Sequence, residues 1–356
     1  MKKAAASILA VCAAGLFAVT PHVDMKIRKR DNGWTVYSRD VYLNNAKLIL
    51  RHTTADGKNT VSKKWGEVFF GLEFGRLPRT GGGWGIRDFF RCFEFNRKAC
   101  NLVRERVPAL VAAQNIGGTA VADLEFPSMN GGKLKIRMMQ FPSHPEWIFM
   151  RVKSVNFNIW RFDFQAYPFQ SDFPTDRERR ARTEKGDFNV NRETVKIAAP
   201  SGHYLALYNK FTQDTAGNFL IIQPEKIKLA KIPKCRAAVN IRLYARKGFS
   251  QFDFALGCFK NQPASEAVSQ FFSETGDAVR KFMDDIDWDP KMNTDHFDRS
   301  FAEAKRLGLT KVRLEPLRQA YRKAVEKNDP AAAAEAEKKL DRLKKDAVAS
   351  GLSEFM

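Results

Sequence analysis

The 356-residue chain has few cysteines and histidines, five of each. Their spacing is not that of a zinc ribbon, so we predict no metal site and no cofactor. The glycine cluster Thr80–Gly85 lacks the Lys-Ser/Thr pair of a phosphate loop, and no βαβ pattern surrounds it. These absences disfavour enzymes that depend on nucleotides or on metals.

Long apolar runs are also scarce, and the one near the N-terminus is short. Lys2 and Lys3 precede an apolar stretch from Ala4 to Val19, and the chain then turns polar. This stretch is shorter than the roughly 20 residues of a membrane-spanning helix and is typical of a secretory signal peptide. We therefore predict that residues 1–19 are a cleaved signal peptide. The mature chain is then secreted, periplasmic or in the cell envelope, with no transmembrane span.

Two alternatives to simple cleavage stay open. Residues 9–12 have the outline of a lipobox ending at Cys12, which would make the chain a lipoprotein. Leu16 and Phe17 are bulky for a cleavage site, which would favour a retained N-terminal anchor.

The positive charge is unevenly distributed. The net charge is +20, and residues 25–260 carry 41 Lys and Arg against 21 Asp and Glu. The remaining C-terminal residues are nearly neutral, with 17 against 18. Such a field concentrates anionic partners. Nucleic acid would be the default partner in a cytosolic chain, but behind a signal peptide an anionic polysaccharide is favoured and nucleic acid is not. The alternative is that the charge only keeps the protein soluble.

Period-two alternation of apolar and polar residues dominates the first two thirds of the mature chain. In Lys133–Met138 and in Asn240–Arg246, every second residue is apolar. This pattern predicts half-buried strands, and many such strands without helices between them indicate a sandwich. The predicted fold is mainly β, a large antiparallel β-sandwich over residues 25–262. The other predicted strands are Thr35–Leu43, Ala46–Arg51, Glu67–Phe74, Ile148–Val155, Ile159–Phe164, Tyr204–Tyr208, Phe219–Ile222 and Phe252–Leu256.

The period changes to that of helices after Pro263. Apolar residues fall on one helical face in Ser265–Met283, and again in three later segments. The last segment begins at Asp329, a good N-cap, followed by Pro330 at the first helical position. We predict an α-helical C-terminal appendage over residues 263–356, separated into parts by an aspartate-rich linker at Asp284–Asp295.

Four cysteines remain after the signal peptide. A turn near Gly248 would place Cys235 and Cys258 close to each other across a hairpin, and Cys92 and Cys100 are near each other in sequence. In an oxidising compartment these spacings predict two disulfides, Cys235–Cys258 and Cys92–Cys100. Buried thiols are the alternative.

Candidate ligand-binding residues are basic or aromatic. A charged stretch between strands, at residues 176–182, could form a basic lip beside a groove and bind carboxylate or sulfate. The glycine cluster could present a tryptophan to a sugar ring, and two more tryptophans are surface candidates. The predicted ligand-binding residues are Arg177, Arg179, Arg180, Arg182 and Trp84, with Trp65 and Trp147 as further surface aromatics. A solvated loop and a buried core are the alternatives.

Candidate catalytic residues are fewer. His144 or His203, beside arginines, could act as the base of a uronate lyase. Glycoside hydrolysis uses two carboxyl groups at a set separation, and the carboxylates that could serve it are Asp88, Glu94, Asp123, Glu125, Asp163 and Asp172. A histidine at a turn or a strand end is more often structural.

The segment Phe219–Phe259 resembles the end of a secreted supersandwich domain. It contains Asn-Phe-Leu-Ile-Ile-Gln-Pro-Glu, then Arg-Leu-Tyr-Ala-Arg-Lys-Gly, then Phe-Asp-Phe-Ala-Leu-Gly. It is similar to the galactose-mutarotase-like sandwiches of sugar epimerases and polysaccharide lyases. The resemblance implies a carbohydrate ligand, and no catalytic residue of that family can be matched to this chain.

The sequence therefore predicts an exported β-sandwich protein that binds or processes an anionic carbohydrate. The alternative is a non-catalytic envelope or scaffold protein, which holds a polymer on its basic face and docks a protein partner through its C-terminal helices.

Overall fold

The computed structural model describes residues 21–31, 33–55, 69–74, 89–94, 101–166, 179–209, 215–234, 239–260, 264–327 and 329–353. The predicted signal peptide lies outside these residues, so export stays a prediction. Within the described ranges, no helix combines the length and the apolar character needed to cross a membrane.

Eighteen strands form three antiparallel sheets in the described residues. The four-stranded sheet has the order β1 (His22–Lys29), β2 (Trp34–Tyr42), β3 (Ala46–Ala55), β4 (Phe69–Phe74). The five-stranded sheet has the order β13 (Val195–Ala198), β16 (Ile227–Ile232), β17 (Val239–Phe249), β10 (Ile159–Ala166), β5 (Phe90–Phe93). The nine-stranded sheet has the order β12 (Gly186–Asn189), β11 (Arg179–Thr183), β14 (Tyr204–Asn209), β15 (Thr215–Ile221), β18 (Gln251–Lys260), β9 (Trp147–Val155), β8 (Lys133–Gln140), β7 (Thr119–Pro127), β6 (Leu110–Ile116).

The predicted fold class is confirmed, because the molecule is mainly β with large antiparallel sheets and C-terminal helices. Side chains alternate as the sequence predicts: Leu134, Ile136 and Met138 of β8 are buried, while Lys133 and Lys135 are exposed. The buried side chains of all three sheets form one continuous apolar core. Burial of this core is the main force that holds the sheets together.

The predicted hairpin between β17 and β18 is wrong. Strand β17 pairs with β10 and β16, whereas β18 pairs with β15 and β9 in the other sheet. The chain crosses between the two sheets at Ser250. Alternation predicts which face of a strand is buried but not which strand lies beside it. The sequence pattern therefore favours pairing of consecutive strands even where the chain crosses to another sheet.

Two cysteines lie in the described residues. Cys92 of β5 and Cys258 of β18 are both buried in the main core. Cys100 and Cys235 lie outside the described residues, so both predicted disulfides stay predictions.

The helices occur where the sequence predicts them, and one short helix was not predicted. They are α1 (Leu102–Glu105), α2 (Ala264–Gln270), α3 (Gly276–Asp284), α4 (Asp295–Arg306), α5 (Lys311–Glu326) and α6 (Pro330–Ser353). A π-helical turn at Phe271–Thr275 joins α2 to α3. Asp329 caps α6, because its Oδ1 accepts a hydrogen bond from the amide of Ala332 at 3.0 Å. This cap was predicted from the Asp-Pro pair.

Helices α2 and α3 cover part of the outer face of the nine-stranded sheet. Phe271, Val279 and Met283 pack on apolar side chains of the sheet and form a second core. Helices α4 to α6 form a third core, in which Phe297 stacks on Tyr321 at 4.3 Å between ring centroids. The apolar stripe of the α5–α6 hairpin is therefore packed inside the chain. The predicted domain boundary at residue 262 stays a prediction.

Candidate functional site: a charged half of the nine-stranded sheet

The outer face of the nine-stranded sheet carries three successive cross-strand rows on β7, β8, β9 and β18. The strand register defines each row, because directly paired residues place their side chains on the same face. The first row is apolar, Val121–Met139–Phe149–Ala255. The second is ionic, Asp123–Arg137–Arg151–Asp253. The third is Glu125–Lys135–Lys153–Gln251.

The ionic row consists of two internally neutral pairs. Arg137 donates to both carboxylate oxygens of Asp123, at 2.7 and 2.9 Å. Arg151 binds Asp253 in the same bidentate way, with both distances at 2.8 Å. Bidentate pairs of this kind fix both side chains. The hydrogen bond that Arg137 donates to Asp123 raises the pKa of Arg137.

The segment after α3 closes one side of this row. Nη1 of Arg137 donates to the carbonyl oxygen of Trp288 at 2.6 Å and to Oδ1 of Asp289 at 2.9 Å. The guanidinium of Arg151 lies 4.5 Å from the centroid of the Trp288 ring, a cation–π contact. The aspartate-rich linker is therefore bound to the sheet at Trp288 and Asp289.

The third row carries unbalanced positive charge. Lys135 is exposed and Lys153 is half-buried, and the two stand directly opposite each other on β8 and β9. Glu125 pairs with Lys133 at 2.7 Å. In the described part of the chain, neither Lys135 nor Lys153 forms an ion pair. Like charges directly opposite each other destabilise a sheet, so an anion placed between them would relieve the repulsion.

Residues of the second and third rows line an open cavity of about 310 Å³. This volume is at the lower end of the range of small-ligand sites, about 300–1,000 Å³. Leu110, 47% exposed, is paired with Glu125 at the end of the third row and forms an apolar wall of the cavity. No group of three or more metal-ligating side chains occurs among the described residues. The chemistry that the cavity offers is the binding of an anion next to an apolar surface.

The predicted catalytic histidines do not line this cavity. His144 packs on Phe282 of α3 at 4.0 Å between ring centroids, and burial lowers its pKa while Glu146 opposes the shift. His203 lies 3.2 Å from the carbonyl oxygen of Ile222 through its Nδ1. The two histidines do not contact each other, and their catalytic role stays a prediction.

The predicted basic lip is partly a strand. Arg179, Arg180 and Arg182 belong to β11 rather than to a loop. Arg179 is buried, Arg180 binds Asp187 at 3.0 Å, and Arg182 lies 5.5 Å from the Phe272 ring. None of the three lines the cavity. Arg177 and Trp84 lie outside the described residues, so their roles stay predictions.

The prediction that Trp147 is a surface aromatic is wrong. Its side chain is 2% exposed and packs on Phe271, with 5.8 Å between ring centroids. The residue paired with it on β18 is Gly257, whose missing side chain leaves room for the indole. A glycine inside a strand pattern is the sequence signal that could have indicated this packing. Trp65 lies outside the described residues.

Asp123 and Glu125 are two of the six candidate carboxylates that the sequence offers, and no sequence signal identifies Lys135, Lys153 or Trp288 as their neighbours. The alternation in Lys133–Met138 is the sequence signal that places Lys135 and Arg137 on the outer face. Their assembly with β9 and β18 depends on long-range strand register.

No family model and no curated protein matches this sequence. Among solved structures, the chain is similar to an alpha-N-acetylgalactosaminidase from Bifidobacterium bifidum, with a TM-score of 0.41 and 8% identity over 71% of this chain and 39% of that one. It is also similar to the Slr1438 protein from Synechocystis, with a TM-score of 0.34 and 9% identity over 68% of this chain and 96% of that one. A heparinase III gives a TM-score of 0.34 and 12% identity over 67% of this chain and 37% of that one. At these TM-scores and identities, the likenesses assign no function to this chain.

Proposed function

We propose that this protein binds an anionic carbohydrate through the charged half of the outer face of the nine-stranded sheet. The observation that carries the proposal is the opposed pair Lys135 and Lys153, which has no ion-pair partner in the described part of the chain and lies at an open cavity. Adjacent strands are about 4.8 Å apart, so a single carboxylate or sulfate can contact both ammonium groups.

The surroundings of the two lysines favour a sugar over other anions. Leu110 offers an apolar surface for the C–H face of a sugar ring. Single-stranded nucleic acids are held by aromatic faces on which bases stack. The indole in this cavity, Trp288, is 5% exposed and is covered by Arg151, so it cannot provide such a face.

The arrangement supports binding more than catalysis. Both oxygens of Asp123 accept hydrogen bonds from Arg137, and both oxygens of Asp253 accept them from Arg151. Glu125 is in an ion pair with Lys133. Each of these carboxylates is committed to a neighbour, whereas a general acid or base must reach the substrate. Export of the chain, which would bring it to such polysaccharides, is part of the proposal.

The scaffold alternative receives less support. It has the C-terminal helices dock a protein partner, but the apolar residues Leu314 and Tyr321 of these helices are buried in the core formed by α4 to α6. A polymer held by charge density alone would still fit the scaffold hypothesis.

The test is a binding panel of acidic and neutral oligosaccharides, with K135Q/K153Q beside wild type. The double variant should lose most of its binding to the preferred acidic sugar, because both unpaired cations are removed. The matched control is K26Q/K29Q, which removes the same charge from two exposed lysines of β1 in another sheet.

Two results would refute the proposal. The first is equal loss of binding in K135Q/K153Q and K26Q/K29Q, which would mean that only the net charge matters. The second is binding to every polyanion in proportion to its charge density with no preference among sugars, which would leave the scaffold hypothesis.

A further inference from the structure

A second cationic row crosses the outer face of the five-stranded sheet. The strand register aligns five side chains, one from each strand. In the order of the strands the row is Lys196–Lys231–Arg242–Asp163–Arg91. Inner-face neighbours such as Ile197 and Leu243 are buried in the main core, so the row faces away from it.

The row has four cations and one carboxylate. Asp163 is 4% exposed, and its Oδ1 lies 2.9 Å from Nε of Arg161, which belongs to the same strand. The guanidinium of Arg161 is placed over the Phe93 ring at 3.6 Å from its centroid. The carboxylate is therefore already in an ion pair with an arginine that is not a member of the row, and it offers little compensation to the row's lysines.

The two lysines at the other end of the row have no carboxylate opposite them. Lys196 is exposed and Lys231 is half-buried, they are paired across β13 and β16, and neither forms an ion pair with a described residue. Nε of the next residue, Arg242, is buried without a hydrogen-bond partner. Three adjacent cations opposite one another are unfavourable in a sheet unless an anion lies against them.

The ionic row of the nine-stranded sheet shows how this protein otherwise arranges charge. There each arginine has a carboxylate directly opposite on the neighbouring strand, at Asp123 and Asp253. In the five-stranded sheet, by contrast, both residues paired with Lys231 on the neighbouring strands are cations, Lys196 and Arg242. The repeated cations across neighbouring strands therefore form a surface complementary to a line of negative charges.

We propose that the row Lys196–Lys231–Arg242 is a second binding surface for an acidic carbohydrate chain lying across the strands. It takes its class of ligand from the proposed function but lies on the other layer of the sandwich. At about 4.8 Å per strand, these three cations span about 10 Å. Phe93, an aromatic ring beside the row, is 7% exposed and lies against the guanidinium of Arg161, so it offers no stacking face to nucleic acid bases.

The test is native mass spectrometry of the full chain with a short oligogalacturonate, too short to reach both layers. Wild type should bind two ligands, and K196Q/K231Q should bind one. Arg242 is left unchanged because it also faces Asp163. K26Q/K29Q, the matched control, should still bind two ligands. Urea unfolding of each variant checks that the substituted lysines do not affect the fold.

The outcomes separate this inference from the proposed function. If K196Q/K231Q still binds two ligands and K135Q/K153Q binds one, the second surface is refuted and the proposed function stands. If K135Q/K153Q still binds two ligands and K196Q/K231Q binds one, the second surface stands and the proposed site is refuted. If a single-stranded oligonucleotide of equal charge displaces the sugar from the row at lower concentration, the carbohydrate occupant is refuted.

Discussion

The outer face of the nine-stranded sheet has two halves, a covered half that is apolar and an open half, the charged half described above, that carries the cavity. The side chains change from apolar to charged over two positions of the same strands. In the covered half, Phe149 and Ala255 lie under helices α2 and α3 in an apolar core. In the open half, two positions further along each strand, Arg151 and Asp253 form a bidentate ion pair. The same strands run through both halves, and the side chains differ with what covers them. Where helices exclude water the side chains are apolar, and where the helices end the charged side chains form ion pairs.

The border between the halves is formed by three residues in contact. Trp288 belongs to the apolar core beneath the helices and also stacks on Arg151, while its carbonyl oxygen accepts a hydrogen bond from Arg137. The covered half should therefore determine stability, and the open half should determine binding. The predictions below test this division, from the largest effect on the free energy of unfolding to the smallest.

The largest loss of stability should follow G257A in the covered half. A Cβ at this position would lie 2.8 Å from two ring carbons of Trp147. Overpacking of this kind lowers the free energy of unfolding by about 1–3 kcal/mol. In the open half, K135A should change it by no more than about 0.5 kcal/mol. Urea unfolding measures both, and equal effects of the two substitutions would contradict the claim that the covered half determines stability.

A smaller loss should follow D253N, which removes the charge opposite Arg151 but keeps one oxygen that can accept a hydrogen bond. The side chains of this pair are 20% and 11% exposed, so we expect a loss of about 1 kcal/mol in the free energy of unfolding, at the low end of the range for G257A. Asp289 also binds an arginine, but its side chain is 80% exposed. The matched variant D289N should cost about 0.5 kcal/mol or less. A cost of D289N as large as that of D253N would contradict the importance of burial.

The smallest expected change is in the pH dependence of the free energy of unfolding, through a histidine that packs on helix α3 of the covered half. Burial against Phe282 lowers the pKa of His144 below the usual value of about 6.5. Below that pH the unfolded chain takes up a proton that the folded chain resists, so stability falls as pH falls through about 6.5. H144Q should reduce this loss, as measured by urea midpoints at about pH 7.5 and 5.5. An unchanged pH dependence would show that the histidine does not contribute.

The same comparison shows what the sequence could predict. Alternation in β8 and the Asp-Pro cap of α6 are local signals, and both predicted the observed elements. The error at β17–β18 and the burial of Trp147 have a common cause, because each depends on a partner strand that is distant in sequence. The candidate site depends on such partners too. Lys135 and Lys153 are 18 positions apart and become opposed only through the register of β8 with β9.

The central claim is that an anionic carbohydrate lies against the open half of the nine-stranded sheet. Its most direct test is lysine acetylation followed by mass spectrometry, with and without the acidic oligosaccharide that binds best. Lys135 and Lys153 should be modified much more slowly when the sugar is present, while Lys26 and Lys29 of β1 should react at the same rate in both samples. Equal protection of all four lysines, or none at Lys135 and Lys153, would contradict the claim.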